Sequence, residues 1–298
     1  MRRYGLVAVA LLVAIVSRAA VGASESLFLF GAAGTTAPHN TIVDSSIEYQ
    51  TDLDESLSLQ VKSRLEWVFF ASDDNVPPRA MDVQVKGTLG WKLTDRWDAA
   101  VAAGAGYAST NPFVDNDACY GVGQVKARYA FDDRRSLTMS LSYNGNRVIL
   151  PDVPIPMIVY EERLSESFSY TIGAPRSGLI WRPTDRLVLN VALSAPFRME
   201  ALAEYELMEK QLFLFTRFDT RSNAYHRSGD DPDRRLFFTQ RTLGVGVRWV
   251  PASNVSLQLT GGWALHQRLE RGFDMCKTDT VETFPDGPFV GLSVLVGF

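Results

Sequence analysis

The chain has 298 residues, 46% hydrophobic and 21% charged, with a formal net charge of −4 and a mean hydropathy of −0.04. Those values exclude a bundle of membrane helices, because a spanning helix needs about 20 mostly apolar residues in a row and only the N-terminus approaches that. A mildly acidic chain is also a poor nucleic-acid binder, so no such partner is expected.

The first residues read MRRYGLVAVALLVAIVSRAAVGASES. Arg2 and Arg3 precede an apolar run from Leu6 to Val16, and Val21-Gly22-Ala23 supplies small residues for cleavage. This pattern is a secretory signal peptide over 1–23, which leaves 24–298 as one domain. Loss of Arg2, Arg3 and Arg18 takes the formal charge from −4 to −7. Export would place Cys119 and Cys276 in an oxidising compartment, where a disulfide persists.

Beyond the leader, period-2 alternation dominates, the mark of a two-faced strand. In the run 57–69, Leu57, Leu59, Val61, Leu65, Trp67 and Phe69 share one face with Ser63, while Ser58, Gln60, Lys62, Arg64 and Glu66 take the other. Similar segments lie near 41–50, 81–93, 97–108, 120–131, 137–145, 166–181, 187–195, 199–207, 212–220, 238–249, 255–266 and 288–298. With 24–33 added as a first strand the number is about fourteen, an even number as bacterial barrels require; twelve is the alternative. These runs reach the roughly 9–11 residues that cross a bilayer with tilt.

Short polar turns are expected near 51–55, 94–96, 132–135, 182–186, 208–211 and 250–254. Longer connections fall near 71–80, 109–119, 146–164, 221–236 and 267–287. WKLTDRW from Trp91 and WRPTDRL from Trp181 are near repeats at such turns. Tyr49, Trp91, Tyr129, Trp181, Tyr205 and Trp249 precede turns and would form an aromatic girdle on one side. The turns recur about every 40 residues, a spacing shared with β-propellers, but each period here holds two long strands and lacks the Gly-His and Trp-Asp signature.

Nearly every strand has one apolar face and no helical layer is available to cover it. Closure in lipid leaves no sheet edge and satisfies the backbone, so an all-β, closed antiparallel transmembrane barrel is the expected fold. Its polar face then lines the lumen. The last strand, FVGLSVLVGF, resembles the closing strand of Gram-negative outer-membrane β-barrel proteins. With the leader and girdle, the whole mature chain resembles that porin-like class and is similar to its uncharacterised single-barrel families, without matching a named subfamily. The resemblance implies outer-membrane lipid as surroundings and Phe298 as an assembly signal for the barrel assembly machinery.

Lys62, Arg64, Lys86, Lys126 and Arg128 would line one side of the lumen and Glu200, Glu204 and Glu206 another. Such walls either set up a transverse field or are consumed by cross-strand pairs, Asp44 and Glu48 with Lys62 and Arg64, or Asp82 with Lys86. Cys119 and Cys276 lie in loops, able to bridge or to remain free thiols. The apolar connection 146–164 either folds inward as a constriction or plug, caps the barrel from outside, contacts lipopolysaccharide or a hydrophobic substrate, or packs on its neighbours. His226, near Ser228, Asp230 and Asp231, is the most catalytic-looking cluster, but Gly-Asp-Asp-Pro-Asp reads first as a turn. No cofactor or metal motif occurs. A passive channel for small solutes is therefore expected, ahead of a non-conducting barrel that binds through its loops and, well behind, a hydrolase. The oligomeric state is open.

Overall fold

The computed structural model describes residues 26–71, 76–194, 198–227, 229, 231 and 233–298, so the expected leader at 1–23 lies outside the described residues. Two strands, β1 (Ser26–Ala37) and β2 (Asn40–Asp52), open the described chain. They are followed by β3 (Leu57–Phe70), β4 (Arg79–Lys92), β5 (Trp97–Ser109), β6 (Cys119–Ala130) and β7 (Arg135–Asn144). A shorter set comprises β8 (Ile155–Arg163), β9 (Phe168–Ala174), β10 (Arg176–Thr184) and β11 (Leu187–Ser194). The strands then lengthen through β12 (Arg198–Met208), β13 (Leu212–His226), β14 (Arg235–Ala252) and β15 (Val255–Asp274), and β16 (Lys277–Phe284) and β17 (Gly287–Gly297) end the chain.

Each strand pairs antiparallel with the next as far as β15, and β17 joins β15 to β1, closing a ring of sixteen strands. β16 is additional and pairs only with the distal part of β15, from Gln267 to Asp274. The expected fourteen strands become sixteen for two reasons. The segment 166–181 is a hairpin, β9 and β10, folded at Pro175. The supposed apolar loop 146–164 contains β8, whose register puts Met157 and Val159 on the Lys126 side of the wall and Ile158 on the opposite face. With apolar residues on both faces, β8 has no alternation to detect.

Elsewhere the alternation marks a wall with one face outward. Val125, Val245 and Val290 are 56%, 62% and 60% exposed, members of an apolar band that runs round the ring. So large an exposed apolar surface is stable only against hydrocarbon or another protein. One end of the ring has turns of four residues or fewer throughout; the other, the loop end, carries the longer connections after β3, β5, β7 and β13 beside short links at 38–39 and 175.

At the loop end the wall folds into its own lumen. Every residue from Arg235 to Gln240 is buried, and so are Ala224 and Tyr225 on the two faces of β13. A wall strand keeps one face outward, so this tip of β13, β14 and β15 is interior. Two local features bend it. β12 pairs with β13 only as far as Asp219, which frees the rest of that edge. On β15, His266 and Gln267 together oppose Gln240, a bulge with His266 at φ 50°, and bulges bend and twist a strand pair. Asp286 Oδ1 accepts the bulged His266 N–H at 2.8 Å.

The tip reaches the far side of the ring, where His226 bridges to Ser109 of β5 and its carbonyl accepts from Thr110 N at 2.8 Å. Tyr225, Leu236, Phe238, Leu269 and Phe284 pack there against Ile42, Val68, Phe70, Val76, Ala80 and Ala108. Phe70 and Phe238 meet edge to face at 5.2 Å between centroids. The β7–β8 connection lies over the tip, with Asn146 Nδ2 donating to Ala224 O at 3.0 Å and Met275 N to Val148 O at 3.0 Å. Of the readings open for that connection, packing on its neighbours describes this part of it.

Candidate functional site

Beneath the apolar seam, the tip is fastened to the β2–β3 wall through charge. The Glu66 side chain is 0% exposed and accepts from Tyr225 Oη and Asn223 Nδ2, each at 2.5 Å. Arg64 approaches the same carboxylate at 2.8 Å and Arg221 at 3.4 Å. Asp44 completes the group, 2.9 Å from Arg221 and 3.5 Å from Arg64. Two carboxylates and two guanidiniums balance, which is the condition for burying charge at tolerable cost. Three buried amides form a second fastening: Asn40 Nδ2 donates to Gln267 Oε1 at 2.5 Å, and Gln240 Nε2 donates to the same oxygen at 3.1 Å.

Cavities flank this closure. One of about 620 Å³ is lined by Lys62, Arg64, Arg198, Arg221 and Arg248 with the small residues of β1 and β17. A smaller one of about 150 Å³ lies between Asp44, Arg217, Asp219, Gln240 and Phe289. Toward the turn end a cleft of about 590 Å³ is lined by Gln60, Thr88, Lys92, Asp98 and Lys126. The lumen is two-sided in chemistry. Against the charged β2–β6 wall, the same register of β8, β10 and β12 presents Met157, Val159, Ile180 and Leu202 as an apolar patch between Glu161 and the Glu200, Glu204 and Glu206 carboxylates.

By register, Lys62, Arg64, Lys86, Lys126 and Arg128 share one face of β3–β6, and Glu200, Glu204 and Glu206 share one face of β12, but most of these charges are locally paired. Lys62 holds Glu48 at 3.1 Å, and Arg128 holds Asp98 at 3.3 Å. Glu204 receives both Nε and Nη2 of Arg248, at 2.9 and 2.6 Å, with that guanidinium stacked 3.8 Å above Phe213. Glu200 pairs with Arg198, and Glu206 accepts the backbone N–H of Lys210. Asp82, proposed for Lys86, instead accepts from Tyr120 Oη at 2.6 Å. Lys86 and Lys126 form no ion pair among the described residues, and Lys86 stands directly across from Lys62. Cross-strand pairing thus consumes most of the charge a transverse field would use.

Of the two readings left open for the cysteines, the structure has Cys119 and Cys276 as free, exposed thiols. The six girdle aromatics occupy the turn-end halves of their strands, and ring contacts link Trp97 to Tyr129 at 4.9 Å and Tyr129 to Phe131 at 5.0 Å. Phe298 follows β17 at that same end, 66% exposed. Ser228 and Asp230, two of the neighbours expected around His226, lie outside the described residues. Among the described residues no group of three His, Cys, Asp or Glu side chains suits a metal ion.

Sequence reasoning placed Glu66 on the inner face but gave it no role. It missed Asn40, Arg221, Asn223, Tyr225, Gln240 and Gln267 as a set. Their partners are far apart in sequence, and several fall in segments read as loops. A usable signal was present in RLFFTQ from Arg235 to Gln240, where alternation fails next to a strong strand.

No protein-family model matches the chain, and no curated protein does either. Solved structures of similar architecture include the CymD monoaromatic hydrocarbon channel, 8% identical with a TM-score of 0.46, covering 93% of this chain and 89% of that one. The NanC porin is 8% identical with a TM-score of 0.33 over 90% of this chain and 98% of its own. A ferric enterobactin receptor (PfeA) from Pseudomonas aeruginosa is 10% identical with a TM-score of 0.36, covering 93% and 82%. At these identities and scores the likenesses carry nothing about solute or route.

Proposed function

We propose that this chain is an outer-membrane barrel that passes small solutes passively, exported by residues 1–23 and assembled through its last strand with Phe298. The observation that carries the reading is a closed ring with an apolar exterior and a charged, cavity-bearing interior. A wall exposed to lipid outside and water inside has this distribution. Small solutes and outer-membrane lipid are its partners on this reading, and no catalytic role is assigned to His226.

The solute is a modest one with an apolar side. The charged β2–β6 wall and the apolar patch of Met157, Val159, Ile180 and Leu202, bordered by Glu161 and Glu200, favour a molecule with two unlike faces. Lys86 and Lys126, without ion-pair partners among the described residues, bias passage toward anions.

The inward tip supports a second reading, a barrel that does not conduct and presents its loop end as a surface. Single-channel recording of the refolded mature chain in a planar bilayer separates the two, after heat-modifiable gel mobility has established folding. Stepwise current that reverses on the anion side in a KCl gradient is the expected result. A folded barrel that stays silent at every voltage overturns the channel reading.

A further inference from the structure

The inward tip leaves a notch in the outside of the barrel. The loop-end limits of β9, β10, β11 and β12 at Ala174, Arg176, Ser194 and Arg198 are low, whereas β13, β14 and β15 continue well beyond their last contact with β12. Between the short strands and the receding tip lies a cavity of about 780 Å³. It is lined on the short-strand side by Leu193, Arg198 and Met199, and on the side of β13–β15 by Phe218, Arg241, His266 and Arg268.

The register shows which way these groups face. Leu193 pairs with Met199, and the same outward file on β13 and β14 holds Phe218, paired with Leu243. Leu193, Met199 and Leu243 are 48%, 40% and 51% exposed, part of the apolar band. Arg241 stands on that outward face one strand step beyond Leu243, and Arg268 sits just past the bulge at His266. Arg198 pairs with Glu200, and Glu270 is the single acidic residue lining the cavity, where its carboxylate accepts from Thr278 Oγ1 at 3.3 Å. Neither Arg241 nor Arg268 forms an ion pair among the described residues. Guanidiniums without carboxylates, directly above exposed apolar side chains, suit an anionic head whose chains descend along the wall, and Arg presents the planar fork that phosphate accepts.

We propose that this notch binds the phosphorylated headgroup of a membrane amphiphile, with Arg241 and Arg268 on the phosphate and Leu193, Met199 and Phe218 along the acyl chains. The site rests on the membrane reading above, since only then does the apolar band meet lipid. It is separable from the lysines ascribed to conduction, because Arg241 stands on the outward file with Leu243, whereas Lys86 and Lys126 lie on the opposite face of the wall.

Native mass spectrometry of the refolded full-length mature barrel, released from detergent after titration with diphosphorylated lipid A, tests it. Phosphatidylcholine and inorganic phosphate serve as parallel probes, and heat-modifiable mobility reports folding. One retained lipid A is expected, with apparent affinity about tenfold weaker in an R241Q/R268Q variant and unchanged in K86Q/K126Q, about 1.4 kcal/mol. Equal retention by R241Q/R268Q overturns the site, and equal retention of phosphatidylcholine reduces it to apolar contact. Binding of inorganic phosphate alone with the same arginine dependence makes the ligand a free anion and overturns the lipid assignment. Failure of the wild-type barrel to insert into lipid at all strikes the membrane reading instead.

Discussion

Replacing Glu66 with alanine should release the inward tip. Its carboxylate holds Tyr225 and Asn223 at 2.5 Å and shares Arg64 and Arg221 with Asp44. Removing one member of a buried ionic group costs about 3–5 kcal/mol, because its partners stay buried without it. Asp44 remains 2.9 Å from Arg221, so the low end applies, about 3 kcal/mol. At about 1.4 kcal/mol per decade, the ratio of docked to undocked tips should fall roughly a hundredfold. The apolar seam of Tyr225, Leu236, Phe238, Leu269 and Phe284 resists this release, which is why the barrel should open more often and not unfold. The assay is open probability in planar bilayers, with amide exchange at 235–240 as the structural readout. Glu66→Gln, which keeps an acceptor for Tyr225, should fall between wild type and Glu66→Ala. If folded Glu66→Ala shows wild-type exchange and wild-type open probability, the polar group does not hold the tip and the seam alone does.

Three other outcomes follow from particular contacts. Lys86→Glu with Lys126→Glu should move the reversal potential in a KCl gradient to the cation side, since neither lysine has an ion-pair partner among the described residues to neutralise it; an unchanged potential would place the selective site elsewhere. Gly262→Val should prevent formation of the compact, heat-modifiable species, because a Cβ at that position would lie 2.1 Å from the Leu243 carbonyl oxygen, and backbone cannot yield as a flexible side chain can. In the 131–134 turn, the Arg135 guanidinium and the backbone N–H of Arg134 hold the Asp132 carboxylate below its ordinary value of 3.8. A lowered folded-state value stabilises fully above the ordinary one and is lost as pH falls through the folded one, so acid should loosen this turn; Asp132→Asn should flatten the acid limb of an unfolding titration in detergent.

Much of this molecule was legible because one rule governs most of it. Strands such as β3, with Leu57, Leu59 and Val61 outside and Gln60, Lys62 and Arg64 inside, separate lipid from water, and period-2 alternation is the direct trace of that division. The rule fails where the division itself fails. β8 meets lipid through Ile158 and an apolar lumen wall through Met157, and Arg235–Gln240 is buried on both sides, so neither segment alternates. Broken alternation beside a long strand is thus informative in a barrel: it marks wall that has apolar neighbours on both faces.

The same reasoning explains why the Glu66 cluster is not legible in the sequence while the two faces of the wall are. A lumen residue is recognised by its own polarity and its place in the alternation. Glu66 acquires significance only when Arg221, Asn223 and Tyr225 arrive from far along the chain, which requires the bulge at His266 and the short reach of β12. Long-range closure of this kind has a physical corollary. The ring hydrogen bonds are complete without the tip, because β14 still pairs with β15 below the bulge and β15 with β17. Docking therefore depends on the Glu66 group, the Asn40–Gln240–Gln267 amides, the backbone link of His226 to β5, the apolar seam and the overlying β7–β8 connection. It forms a separable cooperative unit, less stable than the barrel that carries it. A closure with that independence can be displaced while the ring of paired strands stays intact, so the Glu66→Ala variant should lose the docked tip and keep the barrel.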